Sequence, residues 1–390
     1  MTTAARTLDD DGRSSRPTDA GQHQHTPGTT AGAGPVRVGL VGFGLAGSVF
    51  HAPLIATTPG LELAVVVTSR PEAAARVTHE HPGARAVASV EDLWAAGVDL
   101  VVVATPNDSH VPLARAALGR GLATVVDKPL AKDGRTARAL DAFAQAHGAP
   151  LTVFQNRRWD GDFLTVAQAV GDGRLGEVRR FESRFERWAP DAQGGWRESA
   201  DPAVLPGLVH DLGAHLVDQA VQLFGPVATV YAEADVRRDG VGAIDDAFLA
   251  LTHTGGVQSH LWMSAVAADQ GPRFRVLGSH GALTTWGLDP QEAALAAGRR
   301  PAGDGLADDG TSWGVTEPRR TARLTARDAS VTDVPVLPGD YPAFYAAVAG
   351  ALLGGGPMPV SVSDAAAVLD VLATAHRAAA TGEVTTVVAD

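Results

Sequence analysis

The 390-residue chain has no cysteine, which excludes a disulfide, a thiolate metal site and a cysteine nucleophile. Lysine is almost as scarce: Lys128 and Lys132, both in TVVDKPLAKDG, are the only two, so thirty of the 32 basic residues are arginine. Asparagine also occurs only twice, as Asn107 and Asn156. No apolar run approaches the roughly 20 residues of a membrane span. The net charge of −12 argues against a nucleic-acid-binding surface. After Met1, the first 34 residues hold one large aliphatic side chain, Leu8, and no apolar signal-peptide core. They are expected to form a disordered tail on a cytoplasmic protein, and their removal to leave folding and turnover nearly unchanged. The QHQH run in this tail reads as solvated rather than metal-binding.

What is present, 45% hydrophobic and 19% charged residues, suits two domains with substantial cores. From Val36, continuous aliphatic runs (VRVGLVGFG, LELAVVVTSR, VDLVVVATP, LATVVDKP, APLTVFQN) alternate with helical stretches such as AGSVFHAPLI, PEAAARVTHEH and HVPLARAALGRG. That alternation indicates a parallel sheet covered on both faces, a Rossmann-type unit over residues 35–154. Residues 155–390 read as an α/β domain with a mostly antiparallel sheet. Its strands lie in GEVRRFESRFERWAP, VATVYAEADVRR, DAFLALTHTGG, VQSHLWMSAVA and RFRVLGSHGALTTW, and HDLGAHLVDQAVQLFG reads as one of its helices. Residues 287–320, rich in Gly, Pro and charge, read as a long excursion.

GLVGFGLAGSVFH places Gly42-x-Gly44-x-x-Gly47 directly after a strand and at the start of a helix. The first glycine permits a tight turn, the second lets backbone approach a pyrophosphate, and the third lets helix and strand pack closely. The backbone of Phe43, Leu45 and Ala46 completes this candidate phosphate loop. The residue after the second strand, about 20 positions on, discriminates between NAD and NADP. Thr68, Ser69 and Arg70 stand there instead of a carboxylate; a hydroxyl and a guanidinium suit a 2′-phosphate, so NADP is favoured over NAD. The competing reading is that Ser69 and Arg70 merely start a solvated helix. Thr105, Pro106, Asn107 and His110 end another strand at the edge where ligands of such sheets bind; turn capping is the plainer reason for Asn107.

Lys128 raises a sharper question in a chain that uses arginine everywhere else. An ammonium is a compact charge that can exchange a proton, whereas a guanidinium stays charged and planar. Asp211 and His215 in LVHDLGAHLVDQA are spaced four apart, which puts them on one helical face, and Asp218 extends the stripe. A histidine oriented by a carboxylate is a general base near neutral pH, and Lys128 would stabilise alkoxide character on a hydroxyl being oxidised. An ordinary helical ion pair is the bland alternative, and a divalent metal held by His210, His215 and Asp218 is another. Oxidoreductase chemistry without a metal accounts best for all three residues beside a dinucleotide fingerprint.

Together GFGLAGSVFH, ATPNDSH, VVDKPL and HDLGAHLVDQ resemble the Gfo/Idh/MocA oxidoreductases, from about Val36 to the C-terminus. Asp127-Lys128-Pro129 stands where that family has Glu-Lys-Pro, and the family's catalytic lysine, aspartate and histidine fall on Lys128, Asp211 and His215. NRRWDGDFLTV, GWRE, GPRFRVLGSHGALTTWGLDPQEAALAAGRRP and SWG resemble the subgroup of NADP-dependent scyllo-inositol dehydrogenases. That subgroup often has tyrosine where His210 stands, and more hydroxyl and glycine at AVLPGLV. The resemblance implies hydride transfer between NADP and a secondary hydroxyl or ketone of a cyclitol or sugar. It adds Asp127, Lys128, Arg157 and Trp159 to the cofactor contacts. Lys128, Asn156, Arg157, His210, Asp211 and His215 become the substrate contacts. It also implies an open sheet face that pairs subunits into a homodimer or homotetramer. Phe181, Phe185 and Trp262 would then face either a partner or the core. The reading of a different kind is a catalytically silent NADP-binding regulator of the same fold, which retention of Lys128, Asp211 and His215 disfavours.

Overall fold

The five aliphatic runs form the strands β1 (Val36–Val41), β2 (Leu61–Val67), β4 (Leu100–Val103), β5 (Ala123–Asp127) and β6 (Leu151–Phe154), and a short sixth strand that no run announced, β3 (Arg85–Val87), lies between β2 and β4 in the chain. These are the coordinates of a computed structural model, which describes residues 34–195, 198, 199, 207–316 and 318–388. The expected tail up to residue 33, Trp196 and Arg197 of GWRE, and residues 203–206 of AVLPGLV lie outside the described residues. The six strands are all parallel, in the order β3-β2-β1-β4-β5-β6. Strands buried on both faces need apolar side chains at successive positions, and Leu100 to Val103 are all buried. The strand order reverses between β1 and β4, so the loops leaving those two strands flank a crevice at the carboxyl edge.

The second sheet comprises β7 (Val178–Glu186), β8 (Val227–Asp235), β9 (Asp246–His253), β10 (Gln258–Ser264), β11 (Phe274–Gly278) and β12 (Gly281–Thr285). After a short ribbon, β13 (Pro301–Gly303) and β14 (Leu306–Ala307), it is extended by β15 (Thr321–Ala326), β16 (Val331–Pro335) and β17 (Thr385–Thr386). Its order is β16-β15-β12-β11-β7-β10-β9-β8-β17, antiparallel throughout except for β7 beside β10. Side chains alternate along β9 and β10: Ala247, Leu249, Leu251, Leu261 and Met263 enter the core beneath the helices, while the opposite set is half-exposed. Phe181 and Phe185 are core residues. Trp262 lies on the other face, where Arg184 stacks 3.9 Å from its ring centre and Phe248 packs at 5.0 Å.

Two helices depart from the expected form. AGSVFHAPLI is a π-helical turn, Ala46–His51, followed by an α-helix, Ala52–Thr57. Pro53 has no N–H to continue one ladder and is tolerated only in the first turn of a new helix. The stretch read as a single helix from His210 is broken at Leu212 into Leu208–Asp211 and Gly213–Phe224. His215 N–H donates to Leu212 O rather than to Asp211 O, which leaves the Asp211 carbonyl available outside the helix ladder. Neither β15 nor β16 was legible in the sequence, because their side chains are mostly exposed and no regular buried face marks them as strands.

The late parts of the chain return to the first core. Tyr341, Phe344, Tyr345 and Val348 on or beside the helix Pro342–Gly354 bury against β-strand residues of the first sheet, as do Leu295, Ala307 and Trp313 of the 287–320 excursion. Gln291 pins that excursion by donating to Trp159 O and accepting from Trp313 Nε1 and Tyr341 N–H.

Candidate functional site

The phosphate loop is built as the glycine spacing requires. Gly42 sits at φ +99, and a Cβ there would lie 2.5 Å from Ala104 O; a Cβ at Gly47 would lie 2.1 Å from Gly42 O. Gly44 differs: a Cβ there meets nothing within 4 Å, so packing does not demand a glycine. A ligand approaching the backbone would, and Gly44 and Leu45 are exposed at the mouth of the crevice. Phe43 turns its ring into the core, so only its backbone can face a cofactor. Gly47→Ala is therefore expected to lower the melting temperature by several degrees, from a cost of about 2 kcal/mol or more. Gly44→Ala should leave melting unchanged and weaken dinucleotide binding about tenfold or more; parallel thermal and fluorescence titrations check both.

At the end of β2, Ser69 and Arg70 are exposed, and Arg70 begins the helix Pro71–Glu80. Its guanidinium reaches back to donate to Phe43 O at 3.0 Å, which anchors the cation beside the glycine loop. Glu72 lies 3.8 Å away, an exposed pairing that is weak in water. Beyond β4, Thr105 and Asn107 are half-buried and Pro106 is exposed. His110 is buried, with its ring nitrogens 2.8 Å from Pro129 O and 2.9 Å from Thr105 O. Its ring is spent on bracing these two loops.

Lys128 follows β5 into a turn whose Lys128–Pro129 peptide bond is cis. Its backbone N–H donates to Asp127 Oδ1 at 2.8 Å. Its ammonium crosses to the second half of the chain and donates to both Asp211 Oδ1 and Asp211 O, each at 2.8 Å. The helix break at Leu212 is what presents that carbonyl. An ammonium has three N–H groups, so one remains for a further acceptor. Both side chains are mostly buried, 16% and 15% exposed, which strengthens the pair relative to a surface ion pair.

His215 is buried beside them and its Nδ1 makes no hydrogen bond. Burial first, then the charges of Lys128, Arg157 and Arg273, hold it well below the ordinary imidazole value of 6.5. It is thus a neutral acceptor of protons. The sequence-based role of Asp211 as its orienting carboxylate gives way to the bond from Lys128. Asp218 is engaged too: Arg158 binds it through Nε at 2.8 Å and Nη2 at 2.6 Å. Among the described residues no cluster of three or more acidic or histidine side chains could hold a metal.

The turn Asn156–Trp159 carries the remaining expected contacts. Asn156 is buried there. Arg157 is buried between Asp160, 3.4 Å away, and Glu292, with Phe185 beneath it, so it acts on the site through its charge on His215. Trp159 packs edge-on against Phe344. His210 stacks on His376 with ring centres 4.8 Å apart. Sequence reasoning missed Arg273, which donates to Ser183 and Gln219 and contributes to the field at His215. No local signal marks it, since it is one of thirty arginines.

A family described as "Oxidoreductase family, NAD-binding Rossmann fold" matches residues 36–155, and one described as "GFO/IDH/MocA C-terminal domain" matches residues 163–284. The chain belongs to the Gfo/Idh/MocA oxidoreductases. The chain is 39% identical over 338 residues to the uncharacterized oxidoreductase YdgJ of Escherichia coli, covering 86% of this chain and 94% of that protein. It is 31% identical over 344 residues to the scyllo-inositol 2-dehydrogenase (NADP(+)) IolW of Bacillus subtilis, covering 87% and 92%. Among solved structures, the YPO2259 putative oxidoreductase of Yersinia pestis superposes with a TM-score of 0.83 at 37% identity, covering 92% of this chain and 99% of that one. The first half matches an NAD-binding Rossmann fold, and the open backbone at Gly44 fits a dinucleotide there. No helix among the described residues is long and apolar enough to cross a membrane.

Proposed function

We propose that this oxidoreductase transfers hydride between NADP and a secondary hydroxyl or ketone of a cyclitol or sugar. The observation that carries the reading is the convergence of one ammonium, Lys128, on Asp211 next to the neutral, buried His215. A bound nicotinamide dinucleotide supplies the hydride acceptor. In the oxidation direction, His215 takes the hydroxyl proton while the remaining N–H of Lys128 stabilises developing negative charge on that oxygen. Asp211 holds the ammonium in place through its carboxylate and its carbonyl. In the reduction direction the same groups return the proton. A polyol or sugar suits a site with a fixed ammonium at Lys128, and Asn156 and His210 are the proposed hydrogen-bonding contacts to its other hydroxyls.

Support for NADP comes from Ser69 and from the anchored, exposed guanidinium of Arg70, and from the relative IolW, whose name carries NADP(+). Arg70→Ala should weaken NADP binding about 10- to 100-fold, from loss of charge-assisted bonds to the 2′-phosphate, while changing NAD affinity little. Equal losses for the two cofactors in a fluorescence titration would remove Arg70 from the selectivity. A panel of cyclitols and sugars with both cofactors, followed through nicotinamide absorbance, tests the activity itself. Dinucleotide binding with no turnover of any member would favour the regulatory reading. Self-association through the open sheet face, with Trp262 and Phe248 inside the contact, is part of the proposal and is read by sedimentation.

A further inference from the structure

Behind Lys128 lies a buried polar chain that the proposed chemistry does not use. His51 closes the π-helical turn after the glycine loop and is fully buried against Phe154. Its Nδ1 lies 2.6 Å from the hydroxyl of Tyr345, itself fully buried on the helix Pro342–Gly354. Its Nε2 lies 3.9 Å from Asp127 Oδ1 and has no hydrogen-bond partner. That same carboxylate oxygen accepts the backbone N–H of Lys128.

The direction of this chain follows from its chemistry. Burial, and then the Asp127 charge, hold the Tyr345 phenol well above its ordinary value, so the hydroxyl keeps its proton. With the Asp127 carboxylate favouring the imidazole hydrogen on Nε2, the hydroxyl donates a hydrogen bond to Nδ1. A neutral imidazole that accepts at Nδ1 carries its own hydrogen at Nε2, which faces Asp127. At 3.9 Å this is a charge–dipole attraction rather than a hydrogen bond. Four groups face the carboxylate: His51 from the turn, His110 from the helix after β4, Lys128 from its own strand end and Tyr345 from the C-terminal helix. Burial alone would push Asp127 up; His51, then His110 and Lys128, bring it below its usual value. A side chain needed only to fill this space would be apolar, because a buried imidazole and phenol cost free energy unless their polar atoms are used.

We propose that His51 and Tyr345 are positioning residues that hold Asp127 as an oriented carboxylate, and through it fix the turn that delivers the Lys128 ammonium to Asp211. The inference rests on Lys128 being the group that faces substrate. The test uses full-length protein and the variants His51→Leu, His51→Gln and Tyr345→Phe. Because the chain has two lysines, ¹⁵N labelling of lysine gives one side-chain resonance for Lys128 and one for Lys132. That readout is independent of any substrate.

His51→Leu should move the Lys128 resonance and leave that of Lys132 in place. With a polyol that the wild type oxidises, it should lower kcat about 10- to 100-fold while KM and NADPH affinity change by less than about threefold. His51→Gln, which places an amide donor near the Nε2 position, should recover most of the rate and of the resonance position. Tyr345→Phe removes one oxygen, keeps the packing and should show the same changes in smaller degree; it carries the test if His51→Leu does not fold. An unchanged Lys128 resonance and kcat in His51→Leu, or in Tyr345→Phe in that case, overturns the proposal. So does equal impairment by leucine and glutamine. If the wild type turns over no polyol, the proposed reaction fails, while the Lys128 resonance still decides the positioning role.

Discussion

Lys128→Arg is expected to lower kcat by about 10²- to 10³-fold while NADP still binds. Charge is conserved in this substitution, so the loss isolates geometry and proton exchange. The ammonium fits between the carboxylate and carbonyl of Asp211, each 2.8 Å away, with one N–H left over. A planar guanidinium is larger, cannot make both bonds from one nitrogen and keep the same third direction, and gives up no proton at any accessible pH. Rapid-mixing kinetics and a separate binding titration distinguish the two quantities. Wild-type turnover by Lys128→Arg would make the rarity of lysine a compositional accident and remove the anchor of the proposed mechanism.

His215→Ala is expected to cost about 10²- to 10⁴-fold in kcat, the usual worth of a positioned general base and about 3 to 5 kcal/mol of transition-state stabilisation. The pH dependence has a definite sign. Burial and the neighbouring cations depress the imidazole below 6.5, so its neutral form, the proton acceptor, persists as pH falls through 6.5. The acid limb of kcat/KM for oxidation should therefore lie below pH 6.5, and in His215→Ala that limb should vanish. A wild-type limb above 6.5 would mean that another group accepts the proton.

Particular elements show how far the sequence reached. Gly42 and Gly47 were legible because each has a local requirement: Gly42 takes φ +99, and a Cβ on Gly47 would meet Gly42 O five residues earlier, while only the approach of Ala104 O to Gly42 comes from a distant strand end. The parallel sheet was legible for a similar reason, since four buried residues in a row in β4 leave little but a strand covered on both sides. Lys128, Asp211 and His215 were visible as rare or regularly spaced residues, and the structure brings the three together. Their partnerships were misread. Helical spacing suggested that Asp211 serves His215, but the helix breaks at Leu212 and Asp211 meets a lysine 83 positions earlier. Asp218, on the same expected stripe, belongs to Arg158.

By itself, then, the amino-acid sequence determined the glycine loop, five of the six parallel strands of the first half, the absence of thiol chemistry, and the residue types present for proton transfer. Tertiary structure alone decided which charges pair, that His215 is held neutral, and that a tyrosine 294 positions from His51 closes a polar chain behind the lysine. Backbone conformation and periodicity are set by neighbours within a turn or two, which any reading along the chain can see. Ion pairing and desolvation depend on which remote segment packs against a group, and those distances exist only after the chain has folded.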